Sequence, residues 1–248
     1  MKLAVVIPMH NEEAGARQCI AAVTSVIDDL NDTALIVVDD GSSDATRDEL
    51  QAAEALGFKF ERVDAATNQG YGAALQLGAR RAAELGAEWV LFMDSDLTNP
   101  PDQIPSFVAA MADDVDVIKA CRFCRGGGMN GVPFRRQIFS RTGNVLARVL
   151  VGGPHRDITN GFRAIRTDRY LAMPLTERGF AVIVEEMYHG QGARLRGVDV
   201  PSVLTSRTAE LRVSSFGYTP KTIWTYLRWT LRAARNRLLR LSPKGSTR

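Results

Sequence analysis

The chain is expected to fold as an α/β domain with a mostly parallel sheet flanked by helices. Apolar runs such as Leu3-Ala4-Val5-Val6-Ile7 and Trp89-Val90-Leu91-Phe92-Met93 read as strands buried on both faces. Stretches of helical period separate them, and strand-helix alternation implies parallel crossovers. With 248 residues, 45% of them hydrophobic, there is enough chain for one large domain with a full core.

The first strand is expected over residues 3–7, stopped by Pro8, with a helix over about 12–30. A second strand, 34–38, runs into Asp39-Asp40-Gly41-Ser42, and Ser43-Asp44 can cap a helix over 45–56. A strand over 58–63, a helix of small residues over 70–85 and a strand over 89–93 complete the regular half. Beyond it, Pro100, Pro101 and Pro105 punctuate a loop and a short helix before a strand over 115–120. Gly126-Gly127-Gly128 reads as a mobile loop, 135–151 as an amphipathic helix, and 162–166 and 198–204 as strands. Residues 218–241 read as a helix with Trp224, Leu227, Leu231 and Leu238 on its apolar side. The expected division is a domain over 1–217 and a basic helical tail over 218–248.

The net charge of +3 is mild and local. Residues 228–248 hold seven basic side chains (Arg228, Arg232, Arg235, Arg237, Arg240, Lys244, Arg248) and no acid. With Trp224, Tyr226 and Trp229 they suggest a helix lying on an anionic membrane surface. No motif that reads nucleic acid accompanies them. Cys121-x-x-Cys124 lacks the further Cys and His ligands of a zinc site, and Cys19 leaves no disulfide framework. A reducing cytoplasm is the expected compartment. Met1-Lys2 leads directly into a strand rather than a secretory leader, and no apolar run approaches the ~20 residues that cross a bilayer. Membrane contact is expected to be peripheral.

Asp94-Ser95-Asp96 is the most informative feature. It stands where a buried strand ends, the edge at which parallel α/β sheets bind ligands. Two carboxylates this close repel unless a cation lies between them, and a hard divalent ion carrying a diphosphate resolves that conflict. Three more segments align as strand-end loops on the same rim: Pro8-Met9-His10-Asn11-Glu12, Asp39 through Asp44, and Asn68-Gln69-Gly70-Tyr71-Gly72. Acids together with helix N-termini suit a nucleotide. Neither a G-x-G-x-x-G after the first strand nor a G-x-x-x-x-G-K-[ST] is present, which disfavours dinucleotide and P-loop enzymes.

Val5-Val6-Ile7-Pro8 with Asn11-Glu12, Ile36-Val37-Val38-Asp39-Asp40-Gly41-Ser42 with Asp44-Ala45-Thr46, and Met93-Asp94-Ser95-Asp96-Leu97 resemble inverting family-2 glycosyltransferases of the GT-A fold. Pro100-Pro101, Arg122, Arg136, Ser140, Asn144, Asp157 through Arg163 and Glu186-Met187 resemble the branch that mannosylates dolichol or polyprenyl phosphate. The likeness spans about residues 3–216. It implies that Pro8, His10, Glu12, Val38 and Asp40 hold the nucleoside. Asp94 and Asp96 would bind Mg²⁺ or Mn²⁺, and Ser95 would line the sugar phosphate. Arg122 and Arg207 would serve the donor, Arg122 at its diphosphate. Arg136 and Ser140, one helical turn apart, could face an acceptor phosphate together. Asp157, Thr159 and Arg163 match an acceptor-side motif, and Glu186 falls near the acceptor.

The resemblance implies a metal-dependent transfer of a hexose, mannose from GDP-mannose, onto a polyprenyl phosphate. Such an acceptor is already ionised and needs no strong base. The alternative is another nucleotide sugar and a soluble hydroxyl acceptor, with Glu185, Glu186 or Asp157 as base. A nucleotidyltransferase would carry a Gly-rich basic loop after the first strand, which is missing. Three positions depart from the branch pattern. His10 stands where Tyr is frequent and Thr98 where Gln or Ser is frequent. The lysine expected after Arg207 is missing, with Arg212 the nearest positive charge.

Overall fold

A computed structural model describes residues 1–205 and 219–241. The first half alternates as β1 (Leu3–Met9), α1 (Ala16–Ile27), β2 (Thr33–Asp39), α2 (Thr46–Ala55), β3 (Glu61–Asp64), α3 (Tyr71–Glu84) and β4 (Trp89–Phe92). The second half holds a 3-10 turn (Pro101–Gln103), α4 (Ile104–Ala110), β5 (Val117–Cys121), β6 (Gly128–Met129), α5 (Phe134–Val151) and β7 (Arg163–Arg166). It closes with α6 (Thr167–Leu171), α7 (Val182–Gly192), β8 (Gly197–Pro201), β9 (Val203–Leu204) and α8 (Pro220–Leu241).

Seven strands form one sheet in the order β3-β2-β1-β4-β7-β5-β8. All are parallel except β7, which runs antiparallel to both β4 and β5. The strands are apolar on both sides because both sides are covered. Leu3, Val5, Ile7 and Met9 face one core with α1, Leu50 of α2 and Phe107 of α4. Ala4 and Val6 face the other, built from α3, α5, α7 and α8. This period of two places successive side chains of one strand in different cores.

Several boundaries differ from the sequence reading for identifiable reasons. β1 continues through Pro8 to Met9, because β4 pairs with it only as far as Val6 and leaves no ladder bond for the proline to lose. α1 starts at Ala16 rather than residue 12, since residues 11–13 are bound to the neighbouring loop. Asn11 adopts a left-handed φ of 55°. Its backbone N–H donates to Ser42 Oγ (3.0 Å), and that of Glu12 to Thr46 Oγ1 (2.7 Å). The third strand lies at 61–64, with Phe58 and Phe60 packed against the core just before it. Gly128 is not in an open loop but pairs, as β6, with β9. The expected strand over 198–204 divides at Ser202 into β8 and β9. The 217/218 domain boundary lies outside the described residues; α8 itself packs against α5 and α7.

Candidate active site at the C-terminal edge of the sheet

Asp94 and Asp96 follow β4 at the rim and line a cavity of about 580 Å³. The turn that follows them is tense. Leu97 is held at φ 55°, a conformation that costs a residue with a Cβ on the order of 1 kcal/mol or more and gathers at functional sites. Thr98 compensates by donating its backbone N–H (3.0 Å) and hydroxyl (2.8 Å) to Asp96 Oδ1. Asp94 is oriented from the other side, where Tyr71 Oη donates to its Oδ1 at 2.8 Å. Loss of solvent around the phenol and the adjacent Asp94 charge push the Tyr71 pKa well up, so it stays a donor.

Gly161 leaves room beside these carboxylates. A Cβ there would stand 3.3 Å from Asp94 Oδ2 and 3.4 Å from Tyr71 Oη. Among the described residues no three His, Cys, Asp or Glu side chains converge as a metal centre. Two hard oxygen donors beside a cradle that a methyl group would fill therefore fit a divalent ion that completes its shell with phosphate oxygens.

Arg122, just beyond β5, forms the positive side of the cavity and is held by three partners. Asp157 accepts its Nε (2.7 Å) and one terminal nitrogen (2.9 Å), Thr159 Oγ1 accepts at 3.0 Å, and Ser140 Oγ at 3.2 Å. Arg136, Ser140 and Thr159 share the cavity with it. Its walls are largely apolar, formed by Phe139, Leu146 and Ala147 of α5 and Ile223, Tyr226 and Leu227 of α8. Six expected site residues, Asp94, Asp96, Arg122, Arg136, Ser140 and Thr159, thus line one space.

Others lie elsewhere. Glu186 and Arg163 were expected at the acceptor, yet both are fully buried as a bidentate ion pair between α7 and β7. The guanidinium also donates to the Gly161 carbonyl (2.6 Å) and lies 4.7 Å from the Phe92 ring centre. Buried and outside the cavity, Glu186 is not placed to meet an acceptor, and Arg163 holds the Gly161 carbonyl. Glu185 is equally committed, accepting from Thr176 and from the Glu177 backbone. Asp157, the third candidate base, is fully buried and holds Arg122.

Val38, expected at the nucleoside, is fully buried in the core shared with α3. Asp40 accepts the backbone N–H groups of Gln69 (2.8 Å) and Gly70 (2.7 Å), fastening the loop before α3. Each carboxylate oxygen keeps a second acceptor site. Pro8, His10 and Glu12 sit at the end of β1, near Asp40 (whose N–H donates to the Met9 carbonyl, 2.8 Å) and outside the cavity, and Ser95 is buried between the two metal-side acids. Arg207 and Arg212 lie outside the described residues.

Tyr71 and Gly161 fall within segments singled out from the sequence but were given no role of their own, and Phe180 was not singled out at all. Phe180 stacks on Tyr71 with ring centres 4.5 Å apart. Nothing in the sequence marks that pairing.

Comparison with known proteins completes the description of the site. A family model described as glycosyl transferase family 2 matches residues 4–170, which include Asp94, Asp96 and Arg122. The chain is 26% identical over 231 residues to a dolichol-phosphate mannosyltransferase of Pyrococcus furiosus, covering 92% of this chain and 62% of that protein, so it spans less than two thirds of that relative's length. It is 27% identical over 236 residues to an undecaprenyl-phosphate mannosyltransferase of Micrococcus luteus, covering 94% and 96%. Among solved structures it is similar to glucosyl-3-phosphoglycerate synthase from Mycobacterium tuberculosis in complex with Mn²⁺, UDP and phosphoglyceric acid. That likeness has a TM-score of 0.66 at 21% identity, covers 95% of this chain and 78% of that one, and shows the fold.

Proposed function

The chain belongs to glycosyl transferase family 2, and on that footing we propose that it transfers a hexose from a nucleotide sugar to the phosphate of a lipid acceptor, with a divalent metal at Asp94 and Asp96. The observation that carries this reading is the cavity itself. One end presents Asp94, Asp96, Arg122 and Arg136, while the walls contributed by α5 and α8 are apolar. A diphosphate and an acceptor phosphate suit the charged end, and a hydrocarbon chain suits the walls. The two mannosyltransferase relatives act, by name, on dolichol phosphate and undecaprenyl phosphate, which supports a lipid phosphate and a mannosyl donor.

Mg²⁺ or Mn²⁺ at the two carboxylates would offset the charge of the departing nucleoside diphosphate. The rest falls to the chain's own side chains. Thr98 and Tyr71 fix the carboxylates before the donor arrives. Arg122, locked by Asp157, Thr159 and Ser140, offers its charge and its one remaining N–H to phosphate. An acceptor phosphate oxygen attacks the anomeric carbon as the bond from that carbon to the donor phosphate breaks. No proton need be removed, in keeping with the commitment of Glu185, Glu186 and Asp157 to internal partners.

A second reading is favoured by the likeness to the synthase structure, whose complex holds UDP and phosphoglyceric acid. Here a UDP-sugar would serve a soluble acceptor, with its phosphate on the same arginines and its hydroxyl as nucleophile. That reading requires a base other than the three acids above. Thermal stabilisation by GDP-, UDP- and CDP-sugars with and without Mn²⁺, followed by transfer assays with polyprenyl phosphate and with phosphoglycerate, separates the two. Turnover confined to phosphoglycerate would sink the lipid reading.

A further inference from the structure

Helix α8 and the carboxylate of Asp94 are joined by a short chain of contacts. Trp229 Nε1 of α8 donates to Glu177 Oε1 at 2.7 Å, and Arg228 pairs with the same oxygen. Tyr226 Oη, one turn earlier, donates to the Phe180 carbonyl at 3.1 Å. The loop between Glu177 and Phe180 is therefore fixed to α8 at both ends. It is fixed equally to the start of α3, where Gly72 N–H donates to the Arg178 carbonyl at 2.6 Å. Any side chain at Gly72 would collide with the Glu177 carbonyl oxygen, so the two segments lie backbone to backbone. The Phe180 ring then stacks on Tyr71 at 4.5 Å with planes 28° apart, and Tyr71 Oη reaches Asp94 at 2.8 Å. Tyr226 and Phe180 also line the cavity between α8 and the acids.

We propose that Tyr71 is a positioning residue for Asp94, and that α8 sets its position through Phe180 and Glu177, so that the seating of the acceptor wall governs metal affinity at the donor site. This rests on the reading of Asp94 as a metal ligand. Donors to a metal-bound carboxylate act in this way: they fix its orientation, and their loss typically weakens metal binding by about 10–100-fold. The coupling is reciprocal. A metal-donor complex that holds Asp94 in place also favours the seated form of α8.

The test is Mn²⁺ affinity, read from the paramagnetic resonance signal of free Mn²⁺ titrated into the full chain with saturating GDP or UDP. Tyr71→Phe keeps the stack on Phe180 and removes one hydroxyl. It is expected to weaken Mn²⁺ binding about tenfold, with metal-free nucleotide binding unchanged and turnover recovering at high Mn²⁺. Glu177→Gln, more than 50 positions from Trp229 in sequence and outside the cavity, is expected to weaken Mn²⁺ binding in the same direction. Affinity within about twofold of wild type in Tyr71→Phe, while Asp94→Asn abolishes Mn²⁺ binding, overturns the strut and leaves the metal reading standing. Unchanged affinity in Asp94→Asn overturns the metal reading and the strut with it. A loss in Tyr71→Phe but none in Glu177→Gln overturns the role of α8.

Discussion

Asp96 accepts two hydrogen bonds from Thr98, which fix the direction of its carboxylate at the rim. Asp96→Ala is expected to abolish Mn²⁺-dependent stabilisation by nucleotide sugars and to lower turnover at least ~100-fold, the scale of removing a principal electrostatic group. Unaltered turnover would remove Asp96 from the site. Glu186→Gln has a different expected signature. It leaves the Arg163 charge buried without its partner, a loss that costs about 3–5 kcal/mol when one member of such a pair is removed. The melting temperature should fall by roughly 2–4 °C per kcal/mol lost, while turnover per folded molecule changes less than ~10-fold. A fall of ~100-fold or more with no change in melting would return Glu186 to the role of base. At this scale the sequence located Asp94 and Asp96 at the rim, where the structure has them, but marked Thr98 only as a departure from the branch pattern and not as the donor that holds Asp96. It was not legible for Glu186 and Arg163, 23 positions apart, because a charge facing a cavity and a charge paired inside the core are written with the same letter.

Strands β1, β2 and β4 were readable because their apolar runs are short and bounded by turn residues. α7 was not foreseen. Its residues Val182 through Met187 are buried around nearly the whole circumference, including Glu185 and Glu186, so no polar stripe marks a helical period. β5 carries the more unusual burden. Lys119 lies fully buried at its centre, donating to the Asn160 carbonyl at 2.8 Å, and burial together with the nearby Arg163 charge lowers its pKa to about 7. Between pH 7 and its ordinary value of 10.5 the unfolded chain binds this proton and the folded chain does not, so this group's contribution to stability rises with pH across that window. Lys119→Met removes the titration. The melting temperature of the variant minus that of wild type is therefore expected to decrease steadily from pH 7 to 10, whatever its offset from the lost hydrogen bond. A pH-independent difference would show that Lys119 titrates normally. α8 is amphipathic as expected, but Trp229, expected at a membrane surface, is turned inward. Trp229 and Ala233 pack on the domain, whereas Trp224, Leu231 and Leu238, seven residues apart, are exposed.

Over the whole molecule those exposed residues form part of a pattern. α5 packs against α8 and carries its own outward stripe of Phe134, Ile138, Val145 and Val149, among Arg135, Arg141 and Arg148. No helix among the described residues is long and apolar enough to cross a membrane. Two such stripes edged by arginines fit contact with an anionic lipid surface, each basic group adding about 1 kcal/mol at most. The chain is expected to co-sediment with vesicles containing acidic phospholipid, less so at high salt. Trp224→Ser with Leu231→Ser should reduce that binding without shifting the melting temperature, and equal binding by the double variant would refute the contact. The antiparallel strand β7 carries a separate consequence. Because β7 is inserted beside β5 and enters the sheet from the rim, the chain leaves the sheet after Cys121 and returns before Arg163 at nearly the same point. The excursion between them, α5 included, is tied back by β6 on β9 and by α5 on α8, and the entropic cost of closing such a loop grows only slowly with its length. Arg122 and Gly161 stand at the two ends of that excursion, next to the sheet, so changes of length in the exposed stretches between them are expected to reshape the cavity wall at little cost to the strands beneath.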